Sequence, residues 1–140
     1  MKKTFSLLTL AAVLAASVSI VGCSGSSSSS DDVIKIGVFE PLTGANGAGG
    51  ADEYDGIKLA NKLFPTILGK KVQLVAVDNK SDKVEAANAA TVLAQKEKVN
   101  AVIGSWGSSL SMSGGPIFAE AKIPAVAVSA TNPNVTKGND

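Results

Sequence analysis

Lys71-Val72-Gln73-Leu74-Val75-Ala76-Val77, then Asp82-Lys83-Val84-Glu85 with an alanine-rich run to Lys98, then Val99-Asn100-Ala101-Val102-Ile103, is the stretch that decides the fold. The first piece is β-branched, with Val72, Leu74 and Ala76 on one face, and reads as a strand. The middle piece opens with the D-x-x-E form of a helix start and continues in strong helix formers. Its Ala86, Ala89, Ala90, Leu93 and Ala94 give a narrow small-residue face suited to close packing on a sheet. The third piece is a strand ending at Gly104. Two strands joined through a helix form a βαβ unit, with parallel strands and a right-handed crossover.

The same alternation continues outward. Upstream, Val33-Ile34-Lys35-Ile36-Gly37-Val38-Phe39 is a strand that ends at Glu40-Pro41. A glycine-rich loop over residues 41–50 follows, then a helix over residues 51–64 with Ile57, Ala60, Leu63 and Phe64 at helical spacing, stopped by Pro65. Downstream, residues 109–122 form a poorer helix that Gly114-Gly115-Pro116 interrupts, and residues 124–129 form a fourth strand. The order β-α-β-α-β-α-β predicts an α/β fold, a doubly wound parallel sheet of strand order 2-1-3-4. The sequence stops at Asn139-Asp140 after a loop, with the last crossover and any fifth strand missing.

The first 32 residues belong to a different regime. Met1-Lys2-Lys3 is positive and residues 7–21 are apolar, broken only by Thr9, Ser17 and Ser19, as in a secretory signal. The segment approaches the length of a membrane span, but its serines, its small-residue exit and Ile20-Val21-Gly22-Cys23 favour export with cleavage. That tetrapeptide resembles the lipobox of bacterial lipoproteins, which implies a lipid on Cys23. The serine-rich residues 24–30 and Asp31-Asp32 read as a flexible tether. The domain expectation is a signal over residues 1–22, a lipidated cysteine and tether over 23–32, and a folded unit over 33–140.

Composition removes several mechanisms. There are 13 basic residues, all lysine, against 12 acids, with no histidine and one cysteine. Loss of Lys2 and Lys3 with the signal tips that balance to negative. The chain therefore has no His/Cys zinc site and no triad or dyad built on histidine. It also lacks arginine's bidentate fork and any basic footprint for nucleic acid. Bound anions must be held by lysine, hydroxyls or backbone N–H groups. Glu40, Asp78 and Asp82 are the acids near strand ends, and none has a nucleophile partner, so no catalytic residue, metal or cofactor is expected. Asp78 is read as shaping its turn.

In an open parallel sheet, ligands bind beyond the carboxyl ends of the strands where strand order reverses. Here that crevice lies between the first and third strands, walled by loops 41–50, 104–109 and 129–133. The first loop fails both phosphate templates: G-x-G-x-x-G from Gly47 would need glycine where Asp52 stands, and Gly49 precedes Gly50 and Ala51, not Lys-Ser/Thr. A mobile glycine loop and a ligand contact both remain open for it. The second loop ends at a helix N-terminus, where N–H groups, the dipole and the Ser108 hydroxyl can hold a carboxylate. Ser108 as a cap of its own helix is compatible with that role. Trp106 lines the crevice or covers the sheet edge. The third loop can give an ammonium the carbonyl of Ser129 and the hydroxyl of Thr131, although Thr131-Asn132-Pro133 is also ordinary turn chemistry.

Several collinear motifs resemble the amino-terminal lobe of the leucine/isoleucine/valine-binding proteins, extracytoplasmic receptors of branched-chain amino acid ABC transporters. They are Ile36-Gly37 with Pro41-Leu42-Thr43-Gly44, Asp55-Gly56-Ile57-Lys58-Leu59-Ala60, Gly69-Lys70-Lys71-Val72, Ala101-Val102-Ile103-Gly104 with Ser108-Ser109, and Ser129-Ala130-Thr131-Asn132-Pro133. The resemblance implies a type I periplasmic binding fold, of which this chain holds an incomplete amino-terminal lobe. It implies that Ser108 holds the ligand carboxylate and that the Ser129 carbonyl and Thr131 hydroxyl receive the ammonium; Ser109, Ala130, Trp106 and Gly49 complete the expected ligand-binding set, Gly49 being a departure where many members carry an aromatic residue. It implies an amino acid ligand, ABC permease partners, and a lipid-anchored extracytoplasmic location at the bacterial membrane or in the periplasm. The second lobe, with its acidic partner for the ammonium, is absent, and a fragment of this kind is expected to bind solute weakly or not at all. A sensory receptor domain and a receptor for amides or urea are the alternatives, and no enzyme activity is expected.

Overall fold

The computed structural model describes residues 33–137. The expected signal, Cys23, the tether and the last three residues lie outside the described residues. Strand β1 (Val33–Glu40) leads to helix α1 (Gly47–Leu63), a short β2 (Thr66–Ile67) and β3 (Lys70–Asp78). Helix α2 (Lys83–Thr91) widens into a π-helical turn (Val92–Glu97) and is followed by β4 (Ala101–Ile103), α3 (Ser108–Glu120), β5 (Ala125–Val126) and a 3-10 turn (Pro133–Val135). The sheet order is β2-β3-β1-β4-β5. β1 runs parallel to both β3 and β4, and β5 runs parallel to β4. The four expected strands thus stand in the order 2-1-3-4. β2, which the sequence pattern does not reveal, pairs antiparallel with the start of β3 through a turn at Leu68 and Gly69, both at positive φ.

The core lies on one face of this sheet. Alternation along β1 sends Gly37 and Phe39 toward α2 and α3, and Ile36 toward α1. All five residues of the expected α2 face are buried, and with Phe39, Val99, Val102, Leu110 and Phe118 they form the main cluster. Asp82 caps α2, its carboxylate accepting from Val84 N at 2.7 Å and Glu85 N at 3.0 Å. Among the described residues, the other face is covered by α1 alone. Ile57 is buried there, but Leu63 is 63% and Phe64 71% exposed, beside an apolar groove of about 520 Å³ that includes Ile36, Val72, Leu74 and Ile103. Ala60 is exposed as well, so of the expected α1 core face only Ile57 closes.

Three boundaries differ from expectation. α1 begins at Gly47 rather than residue 51, because Gly47 N reaches Gly44 O and Gly50 N reaches Asn46 O, both at 3.1 Å, closing a first turn. The preceding loop is therefore short, and it is pinned. Asp78 accepts from Leu42 N at 2.8 Å and from the Thr43 hydroxyl at 2.6 Å, and Ser81 Oγ accepts from Asn46 N at 2.9 Å. α3 is continuous through Pro116, against the expected interruption. Packing outweighs the missing hydrogen bond: Gly114 lets α3 sit against the Phe39 ring, which meets Phe118 edge-on at 5.4 Å. β5 is two residues long rather than six, since its recorded ladder bonds are those from Val102 N to Pro124 O and Gly104 N to Val126 O.

Candidate functional site

The reversal of strand order falls between β1 and β4, as the topology predicts. Beyond their carboxyl ends the chain runs Gly104-Ser105-Trp106-Gly107 into α3. Gly107 at φ 96° is the residue capping α3, and Ser108 is the first helical residue. The Ser108 hydroxyl does not cap its own helix. It accepts from Thr131 N and Asn132 N, each at 3.1 Å, and so ties the helix start to the third loop. Leu110 N and Ser111 N both turn back to Gly107 O, which leaves the N–H groups of Ser108 and Ser109 as the unspent donors at the positive end of α3.

The sequence-derived residues fall into two linked groups. Ser108 and Thr131 are joined directly; Ser109 follows on α3, and Ser129 (exposed) and Ala130 (half-buried) precede Thr131 on its loop. Trp106 and Gly49 form the second group. The indole lies over the start of α1, where a Cβ on Gly49 would meet the ring atom Cε2 at 2.6 Å. Gly49 thus belongs to a helix rather than to a loop, and it serves as the seat of Trp106. The indole is 38% exposed. Neither of two cavities among the described residues is lined by Trp106, Ser108 or Thr131: one is the α1 groove, and one of about 370 Å³ lies between α3, β5 and the 3-10 turn.

Beneath the crevice are residues that pattern reading passed over. Glu40, noted only as an acid at a strand end, is fully buried and accepts the Trp106 N–H at 2.7 Å. Burial pushes its carboxyl up to about 8, the Trp106 N–H opposing the rise and the nearby Glu53 adding to it. Asn79 is fully buried too and donates to Ser105 Oγ at 2.9 Å. Asn132 joins Thr131 on the Ser108 hydroxyl, and its own side chain accepts from Asn134 N at 2.9 Å. The Asn-Pro pair at a turn start was the available signal for Asn132. Asp78 shapes its turn as expected. Burial works against its charge, but the Thr43 hydroxyl and the N–H groups of Lys80, Leu42 and Thr43 outweigh it and hold the carboxyl below its ordinary range.

A doubly wound sheet with hydroxyls and a helix N-terminus at its switch point has the architecture of one lobe of the type I periplasmic binding proteins. Residues 33–139 match the family model described as periplasmic binding protein, and the chain belongs to that family. It is 46% identical to the leucine binding protein of Thermotoga maritima, with a TM-score of 0.73 over 75% of this chain and 30% of that one. It is 34% identical to a branched-chain amino acid transporter substrate binding protein from Streptococcus pneumoniae, solved with isoleucine, with a TM-score of 0.72 over 76% of this chain and 32% of that one. Among curated proteins, a Leu/Ile/Val-binding protein homolog of Brucella abortus is 32% identical over 98% of this chain and 35% of its own length. A solute binding protein from Rhodopseudomonas palustris, solved with 3,4-dihydroxybenzoic acid, is 26% identical, with a TM-score of 0.72 over 76% of this chain and 30% of that one. The chain spans about a third of the length of such relatives.

Proposed function

We propose that the chain is part of the extracytoplasmic solute-binding component of an ABC importer, anchored by a lipid on Cys23, and that its solute is a branched-chain amino acid. The Ser108 hydroxyl and the N–H groups of Ser108 and Ser109 take the carboxylate; the Ser129 carbonyl and the Thr131 hydroxyl take the ammonium, with Ala130 backing them. Trp106, seated on Gly49, meets the aliphatic side chain. The observation that supports this is the pair of 3.1 Å bonds from Thr131 N and Asn132 N to Ser108 Oγ, which tie the helix start carrying the proposed carboxylate donors to the loop carrying the proposed ammonium acceptors. The isoleucine-bound and leucine-binding relatives supply the solute class. Among the described residues no helix is long and apolar enough to cross a membrane.

The test is a titration of the expressed chain with leucine, isoleucine and valine, read by calorimetry and by emission of Trp106. A response to these solutes that Ser108→Ala abolishes is expected, weak because one lobe supplies only part of the contacts. A response that Ser108→Ala leaves unchanged refutes the assignment. Trp106 also favours a second reading, an aromatic acid stacked on the indole with its carboxylate at α3, in keeping with the dihydroxybenzoate-bound relative. Binding of 3,4-dihydroxybenzoate in preference to leucine would establish it. Mass spectrometry of the cell-expressed protein tests the anchor: a diacylglyceryl mass on Cys23 is expected, and an uncleaved, unmodified chain defeats it.

A further inference from the structure

Glu40 is the last residue of β1 and lies under the ligand-facing loop with no water contact. One carboxyl oxygen accepts the Trp106 N–H at 2.7 Å. The other, Oε1, receives no bond from any donor group, and the same is true of Glu53 Oε2 on α1. These two carboxyls lie within hydrogen-bonding reach of each other. Glu53 is half-buried, but its Oε2 is shielded from solvent like Glu40 Oε1, and two carboxyls that can only accept when ionised are compatible there only if one of them carries a proton and donates it to the other. Above the pair there is no slack, because a Cβ on Gly104 would stand 2.6 Å from Glu40 Oε1.

We propose that Glu40 is a positioning residue for the solute crevice: it holds the backbone of Trp106 through a carboxyl that shares one proton with Glu53, and loss of that proton releases the Trp106 loop. Among the described residues Glu53 is the titratable group that acts on Glu40, and the next residue on α1, Tyr54, faces Lys58, whose ammonium lies 4.7 Å over its ring. Asp78 stands opposite Glu40 on β3, but its carboxylate is committed to Leu42, Thr43 and Lys80. On α1, Asp52 is exposed and Asp55 is paired with Lys58 at 2.6 Å. The Gly104-Ser105-Trp106-Gly107 loop, β4 and β5 bring none, and α3 brings only Glu120 at its far end. With the second negative charge unrelieved by any cation, the least costly response is for the carboxyls to move apart, and the Trp106 backbone is attached to one of them.

This rests on the solute reading for its purpose, though its test requires no solute. Trp106 is the only tryptophan in the chain, so intrinsic emission reports this loop alone. In a pH titration of the full chain the emission should shift with a midpoint near 8. Glu40→Gln keeps an oxygen for the Trp106 N–H and cannot ionise; its emission should match the unsubstituted protein at neutral pH and show no transition. Glu53→Gln removes the neighbouring charge and can donate to Glu40, so the midpoint should fall by about one pH unit or more. Circular dichroism establishes that each variant is folded, and if Glu40→Gln is not, the Glu53→Gln midpoint decides. A flat titration, a transition retained in Glu40→Gln, or an unmoved midpoint in Glu53→Gln overturns the proposal. Failure of the solute reading would appear separately, as a response to leucine at neutral pH that Ser108→Ala leaves unchanged.

Discussion

Gly49 lies under the indole of Trp106 so closely that no side chain fits between them: a Cβ there would stand 2.6 Å from Cε2 and 2.9 Å from Cδ1. The two positions form one steric unit. Gly49→Ala must therefore displace Trp106, and overpacking of this kind costs about 1–3 kcal/mol, set against about 1 kcal/mol gained from the better helix former. The expected outcome is a red-shifted Trp106 emission together with a urea midpoint that falls or stays level. An unchanged emission maximum would show that the indole does not rest on α1.

Ser108→Ala removes the acceptor shared by Thr131 N and Asn132 N. These groups are at the surface and water replaces the hydroxyl, so global stability should drop by about 1 kcal/mol or less. Locally the effect is larger in kind, because the third loop loses its tie to α3. Amide hydrogen exchange at Thr131 and Asn132 should accelerate while exchange in β1 and α2 stays as it was.

Stability should decline on the alkaline side. Glu40 ionises near 4.5 in the unfolded chain but near 8 when folded, so the folded state holds the extra proton between those values. Its contribution is fully present below 4.5 and is lost as pH rises through about 8. Asp78 acts in the opposite sense: held below its ordinary 3.8, it contributes stability above that value and loses it as pH falls through its lower folded value. Urea midpoints measured across this range should fall from mildly acidic to alkaline pH, and Glu40→Gln should flatten that fall while leaving the acid limb in place.

Gly114→Ala tests the continuity of α3. A methyl group there would press on Phe39, 2.8 Å from Cζ and 3.0 Å from Cε1, at the centre of the main core. A loss of about 1–3 kcal/mol is expected, despite alanine's better helix propensity, and Phe39→Leu in the same chain should recover part of it. Additive losses in the double variant would refute the contact.

The βαβ unit from Lys71 to Ile103 was legible because its signals agree. Val72 and Leu74 alternate, Asp82 caps, and the alanines of α2 recur at helical spacing, so local propensity and global packing point the same way. The start of α1 was not legible, since four residues of Gly-Ala-Gly-Gly resemble loop in any propensity scale, and only the turn closed by Gly44 and Asn46 carbonyls makes them helix. α3 misled for the same reason, its glycine and proline being tolerated by contacts with Phe39 that come from another part of the chain. Among the candidate site residues, Ser108 and Thr131 were reached by topology, because loops at a switch point are predictable once strand order is known. Glu40 and Asn79 escaped because their importance lies in what is stacked over them, and no local pattern encodes burial beneath a distant loop.

The two faces of the sheet are unequal: the alanines of α2 and the Leu110 and Phe118 side chains of α3 close one side, while α1 leaves Ile36, Leu74 and Ile103 along an open groove beside an exposed Phe64. Dyes that brighten in apolar surroundings are commonly used to detect loosened states. With this protein such a dye will find a ready-made niche in the native fold, so a high signal at room temperature marks the folded lobe, and melting will register as the dye going dark.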